Sequence, residues 1–371
     1  MDTIKKYWRQ PCAVFLGIIA GLLIIEIILR IHNPLPLRIK HNRITLPANL
    51  KYIISDNKTK KIDREVFHTK NSLGFRGREL PHDFKNYLSI ITVGGSTMES
   101  VLISDDKTWP FLLEQRLVIS YRNVWLNNAG LAGHSTFGHR ILLENYLIGL
   151  KPKIIIFLFG INDVGVNTCT KYDKIFLRNY YATLMNFLSK HSELFATLAE
   201  IKNMLKCIIS KPSEFEINLK ERRRFIIADN DMEKTMQEYE KAYIPDYKKR
   251  ISTLIELCRD GDIEPIFLTQ PLLVGKSIDP STGEDLETVE IFPAMNGKLY
   301  WKVLELYNSA TKETCSLNNV YFIDLANMMS KDSKYFYDFM HFTNEGSEKV
   351  AEIVYGCLKK HLDEKYKDFI R

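Results

Sequence analysis

The chain predicts an α/β protein: a parallel sheet sandwiched between helices, set behind an N-terminal membrane-spanning helix. Three observations carry this. Short apolar runs alternate with segments of helical period, the order that places helices on both faces of a parallel sheet. Residues 154–159 (IIIFLF) show no polar alternation, as expected of a strand buried on both faces. Near the start lies an apolar stretch of bilayer length.

That stretch is residues 12–29 (CAVFLGIIAGLLIIEIIL). Eighteen helical residues rise roughly 27 Å, close to the hydrocarbon thickness of a membrane. Glu26, its one charge, lies four residues before Arg30, so the two can pair on one helix face near the interface. A cleaved signal peptide is the alternative, but no small-x-small cleavage pattern follows the run. Arg30, Pro34 and Pro36 follow instead, which favours an uncleaved single-pass anchor. The expected organisation is a short basic tail at 1–11, an anchor at 12–32, a stalk at 33–65 and a domain at 66–371. The domain is expected on the extracytoplasmic side, although basic residues flank both ends of the span.

Composition sets further bounds. Apolar residues make up 45% and charged residues 26%, an ordinary globular balance that argues against disorder. A net charge of +6, from 51 basic against 45 acidic residues, is no nucleic-acid footprint. The six cysteines form no CxxC pair, so zinc and redox motifs lack support. Cys258 and Cys357 fall on apolar helical stripes and read as buried thiols. A Cys169–Cys207 disulfide is open if the domain is exported.

The expected elements follow in order. Residues 71–77 (NSLGFRG) read as an ordered loop packing Phe75 onto the domain, with a substrate-side role for Arg76 as the lesser alternative. Residues 88–93 (LSIITV) form the first strand and end in Gly94-Gly95-Ser96, a sharp turn able to present a hydroxyl. A helix opens at Thr108, a candidate cap, with Pro110 in its first turn. Strand two, 124–127, runs into the loop Asn128-Ala-Gly-Leu-Ala-Gly133, and helical pattern follows to 150. Strand three, 154–159, ends in Gly160-Ile-Asn162-Asp163. Residues from about 165 to 238 read as a helical insertion, with Arg222, Arg223 and Arg224 as a solvated face. A helix ending at Gly261 leads to strand four, 265–270. Another helix around 299–310 precedes strand five, 320–324, and the last helix spans about 344–362. Five strands suit a flavodoxin-like three-layer sandwich in the order 2-1-3-4-5, whose ligand crevice lies at the strands' carboxyl ends.

Four loops at that one edge carry the chemistry. A serine hydroxyl needs a base, a group to orient the base, and donors for the oxyanion that forms. Ser96 follows strand one. Asp338-Phe-Met-His341 follows strand five; an aspartate three residues before a histidine can bond Nδ1–H and leave Nε2 for Ser96. The backbone N–H groups of Ser96 and Gly133 and the side-chain amide of Asn162 are the candidate oxyanion donors. Taken singly, each is ordinary turn or cap chemistry; the inference rests on their joint placement. His134 and His139 lack ligand spacing and read as loop or packing residues.

These blocks resemble the SGNH hydrolases, also called GDSL-type esterases and lipases. Val93-Gly-Gly-Ser96-Thr matches the nucleophile block, Asn128-Ala-Gly-Leu-Ala-Gly133 the glycine block, Gly160-Ile-Asn162-Asp163 the asparagine block and Asp338-Phe-Met-His341-Phe-Thr343 the acid–base block. All four stand in family order, and the resemblance covers about residues 66 to 362. Gly74-Phe-Arg-Gly77 and Leu268-Thr-Gln-Pro271 are similar to segments of a membrane-anchored bacterial branch. Where the family usually has Gly-Asp-Ser, this chain has Gly94-Gly95-Ser96; the triad is untouched, but substrate class does not transfer from the lipase branch. The resemblance implies a Ser-His-Asp esterase without metal or cofactor, acting on an acyl ester of a glycan or lipid. An acetyl group is expected. An O-acyltransferase with a sugar acceptor shares the same nucleophile, and a non-catalytic anchored scaffold is the third alternative.

Overall fold

The computed structural model describes residues 2–32, 38–40, 44–55, 59–174, 192–198, 201 and 216–371. Its centre is a six-stranded sheet whose strands run, from one edge to the other, β12 (Phe322–Ile323), β9 (Glu264–Leu268), β8 (Ile154–Leu158), β6 (Leu88–Gly94), β7 (Val124–Asn128) and β5 (Arg76–Gly77). Two hairpins precede that sheet in the chain. β1 (Arg38–Lys40) pairs antiparallel with β2 (Thr45–Pro47), and β3 (Leu50–Ser55) with β4 (Glu65–Lys70). Within the sheet, β6 (Leu88–Gly94) lies between β7 (Val124–Asn128) and β8 (Ile154–Leu158), all parallel. β9 (Glu264–Leu268) pairs with β8, and beyond the β10 (Glu290–Phe292) and β11 (Met295–Asn296) hairpin the chain adds β12 (Phe322–Ile323) beside β9.

The five parallel strands thus follow the crossover pattern expected, but the sheet holds a sixth. β5 (Arg76–Gly77) pairs antiparallel with Asn127 and Asn128 of β7. Two residues flanked by turns carry no periodicity that a sequence could display. β12 is likewise shorter than residues 320–324 suggested.

All residues of β6, β7 and β8 are buried. Burying one such aliphatic side chain contributes about 1.5–3 kcal/mol, so these strands anchor the core. Phe157 stacks on Phe267 across β8 and β9, centroids 5.0 Å apart. Two helix pairs cover the sheet: Trp109–Ser120 with Asn344–Lys365, and Ile244–Asp260 with Gly297–Leu317. Val350, Val354, Leu358 and Leu362 form the buried stripe of the last helix.

Several local expectations need correction. The N-terminal tail is helical, since the first helix runs Asp2–Ile31. Its segment Ala13–Ile31 has mean hydropathy 2.6, long and apolar enough to cross a membrane, and Arg30 donates to Glu26 at 2.8 Å. Part of the expected stalk is folded onto the domain: Ile44 and Leu46 join the core, and β3 is zipped to β4. Thr108 occupies the N-cap position, but its hydroxyl bonds the Asp105 carbonyl instead of the helix. Cys258 is buried, whereas Cys357 is part-exposed beside Met328.

The expected insertion lies partly outside the described residues, as does Cys207. Of what is described, 193–198 is helical and Asp229–Ala242 is a helix, while 165–174 and 216–228 are irregular. The arginine run is not a uniformly solvated face. Arg224 binds the carbonyls of Asp285 and Leu219 and pairs with Glu284. Arg222 lies over the Phe339 ring, 5.4 Å from its centroid, but like Arg223 it is exposed; only Arg224 of the three is half-buried.

Candidate active site

β6 ends in a tight turn because Gly94 and Gly95 leave no side chain to obstruct it. A Cβ on Gly95 would collide with the Asn162 amide nitrogen. Ser96 then opens a one-turn helix, Ser96–Glu99, and keeps part of its surface open at the sheet's carboxyl edge.

His341 reaches Ser96 from 245 positions away. Its Nε2 lies 2.7 Å from Ser96 Oγ, and its Nδ1 lies 2.6 Å from Asp338 Oδ2. An ionised carboxylate only accepts, so Nδ1 carries the proton and Nε2 offers its lone pair to the hydroxyl. The other oxygen of Asp338 accepts from the backbone N–H of Met340 at 2.8 Å and of His341 at 2.7 Å. This Asx-type turn holds the carboxylate under the ring. Tyr337, buried, stacks on the imidazole at 5.4 Å with planes 6° apart, and its N–H closes back on the His341 carbonyl.

The loop after β7 carries Gly133 in the left-handed region, φ +78°. A side chain there would strike the Tyr172 ring at 2.7 Å, so glycine is required on both counts. Asn162 sits in the 3₁₀ turn Ile161–Asp163; its Nδ2 donates one hydrogen to the His134 carbonyl at 3.0 Å, which leaves its second hydrogen for a ligand. Ser96, His341 and Asp338 therefore form one hydrogen-bonded chain. Asn162 bridges the Gly95 turn and the loop that bears Gly133.

Asp163 of the asparagine block and several residues that sequence inspection passed over hold this loop. Glu99, one turn after Ser96, accepts from the Ala132 N–H at 2.7 Å and pairs with Lys70 at 3.0 Å. Asp163 accepts from the Thr136 hydroxyl at 2.5 Å and faces Arg250 at 3.5 Å. Burial pushes its carboxyl up to about 6, against the pull of Thr136 and Arg250. Asp173 works against the same burial, but donors from Ser135, Gly138 and Thr170 outweigh it and hold the group below the ordinary carboxylate range. Arg76 does not face the crevice. It is buried and binds Asp105 at 2.7 Å together with the carbonyls of Glu99, Ser100 and Ile103, which clamps the chain leaving the nucleophile turn. Phe75 packs edge-on to Tyr146, as the loop reading expected. His134 and His139 are buried packing residues, and among the described residues no cluster of His, Cys, Asp and Glu could hold a metal ion.

Comparison with known proteins adds to this geometry. Solved structures with a similar trace include an alpha/beta hydrolase enzyme from the metagenome of Lake Arreo, Spain: 14% identity over 73% of this chain and 97% of that one, TM-score 0.42. An acetylxylan esterase from Geobacillus stearothermophilus is similar at 13% identity over 71% of this chain and 91% of that one, TM-score 0.40. No curated protein matches the sequence. The sequence model of the GDSL-like lipase/acylhydrolase family matches residues 91–349, a span that holds Ser96, Gly133, Asn162, Asp338 and His341. With that match over most of its length, the chain belongs to the GDSL-like lipase/acylhydrolase family and is an ester-hydrolysing serine hydrolase.

Proposed function

We propose that the protein is a membrane-anchored serine esterase that removes a short acyl group, acetyl foremost, from a cell-surface glycan or lipid. Ser96 Oγ attacks the acyl carbonyl while His341 Nε2 takes its proton. Asp338 orients the ring and stabilises the imidazolium. The oxyanion meets the N–H groups of Ser96 and Gly133 and the free hydrogen of the Asn162 amide, each donor worth about 3 kcal/mol in the transition state. His341 then protonates the leaving alcohol oxygen, and the acyl group stays on Ser96. Water attacks this ester, gives its proton to His341, and releases the acid as Ser96 recovers its hydrogen.

The observation that supports this assignment is the unbroken Ser96–His341–Asp338 chain, with contacts of 2.7 and 2.6 Å. Few structural roles call for a part-exposed serine bonded to a histidine whose far nitrogen is held by a carboxylate. Its test is Ser96→Ala in the full-length protein in detergent, assayed on p-nitrophenyl acetate and with a fluorophosphonate probe. Turnover and labelling are expected to vanish; retained activity would move the nucleophile elsewhere.

The anchor is supported by the apolar segment Ala13–Ile31, 19 residues almost wholly unburied by the rest of the chain. The domain is proposed to lie on the extracytoplasmic side. Sedimentation with membranes after alkaline carbonate washing is expected; release into the wash would point to a removed leader or a peripheral contact.

A further inference from the structure

Tyr172 stands where the chain leaves β8 for the insertion, and the catalytic steps do not use it. Its ring lies against Gly133, so close that any side chain at 133 would meet Tyr172 Cγ at 2.7 Å. Gly133 is the proposed oxyanion donor, so the ring stands beside the position of the substrate carbonyl. Tyr172 is nevertheless 48% exposed.

The chain that carries the ring is also tied in place. The adjacent Asp173 is buried and accepts from Ser135 N at 2.7 Å, Ser135 Oγ at 2.9 Å and Gly138 N at 3.1 Å, all in the segment just after Gly133. Its other oxygen takes the Thr170 N–H and hydroxyl, both at 2.8 Å. Residues 170–173 and 133–138 are thereby tied into one unit. Lys171 places Nζ 4.9 Å from the Tyr172 ring centroid.

We infer that Tyr172 is a specificity-determining residue that contacts the alcohol portion of the substrate and favours a sugar ring there. This rests on the esterase assignment of Ser96. A rigid, half-exposed aromatic ring offers large contact area at little entropic cost, with an apolar face and a wet hydroxyl tip. The C–H face of a pyranose suits that surface, and its hydroxyls can reach the Tyr172 hydroxyl and the Lys171 ammonium. An acyl chain needs an enclosed apolar pocket, which an open ring beside an ammonium does not supply.

The test compares three esters on the full-length protein in detergent: an O-acetylated methyl pyranoside, p-nitrophenyl acetate and p-nitrophenyl octanoate. Tyr172→Ala is expected to lower kcat/KM for the sugar acetate about ten-fold more than for p-nitrophenyl acetate, mainly through KM, and Tyr172→Phe is expected to recover most of that loss. Because the readout is a ratio between substrates, a partly folded preparation does not mimic it. An unchanged ratio, or a change confined to octanoate against acetate, overturns the inference. If the parent protein hydrolyses p-nitrophenyl acetate with no dependence on Ser96, it is the esterase assignment that fails instead.

Discussion

The site has two arms that are built in different ways. The acid–base arm is local: Asp338 and His341 lie three residues apart, and the carboxylate that orients the ring also ties the turn between them. The proposed oxyanion arm is assembled from afar. Gly133 and Asn162 owe their positions to Glu99, Asp163 and Asp173, carboxylates drawn from separate segments, two of them fully buried. The difference teaches that one arm is a motif and the other a network. Damage to the first should stop chemistry and spare the fold, whereas damage to the supports of the second should cost fold and chemistry together.

The largest expected effect tests the unity of the first arm. Ser96→Ala should cost on the order of 10⁶-fold in kcat, and adding His341→Ala should cost little more, because residues acting as a unit are not additive. A double variant far below the single one would break the claim. Next is Asn162→Ala, expected to lower kcat about 10²–10³-fold with modest change in KM, measured under steady-state conditions. Its stability should fall less than that of the next variant.

Asp173→Ala should destabilise the fold by about 3 kcal/mol, since it strands donors on Ser135, Gly138 and Thr170. Urea unfolding of the full chain in detergent measures this. A loss of activity with an unmoved midpoint would mean that the second arm is as local as the first.

The last expected effect is a pH slope, gradual where the substitutions are abrupt. Burial lowers His134 to about 4 and His139 to about 3, so both stay neutral in the fold where the unfolded chain already takes up protons. Their contribution is complete above about 6.5 and is lost as pH falls towards 4, at about 1.4 kcal/mol per pH unit for each histidine. Asp163 opposes them: its raised value adds stability as pH drops below about 6. Two histidines against one aspartate leave a net loss, read as a falling Tm between pH 6.5 and 4. His139→Leu should flatten the slope; a slope as steep as the parent's would assign it to other groups.

Legibility follows the same division. The continuous apolar runs of β6 and β8 declare themselves because every side chain is buried, and Asp338-x-x-His341 declares itself because its partners are three residues apart. β5 is too short to show a period, and the Arg222–Arg224 run looks solvated because nothing local reveals that Glu284 and the Asp285 carbonyl await Arg224. Arg76 shows the same limit. Beside two glycines it left open, as the lesser alternative, a loop cation that meets a ligand, yet it is consumed by three backbone carbonyls and Asp105.

Sequence alone therefore determined the class of fold and the apolar helix ahead of it, and it picked out the groups proposed to react, because each is written in burial period or in short spacing. Only tertiary structure decided which buried carboxylate holds which loop and that Tyr172 faces Gly133. A charge hidden from water takes its partner from whatever the fold brings within hydrogen-bond reach, and that distance is not encoded along the chain.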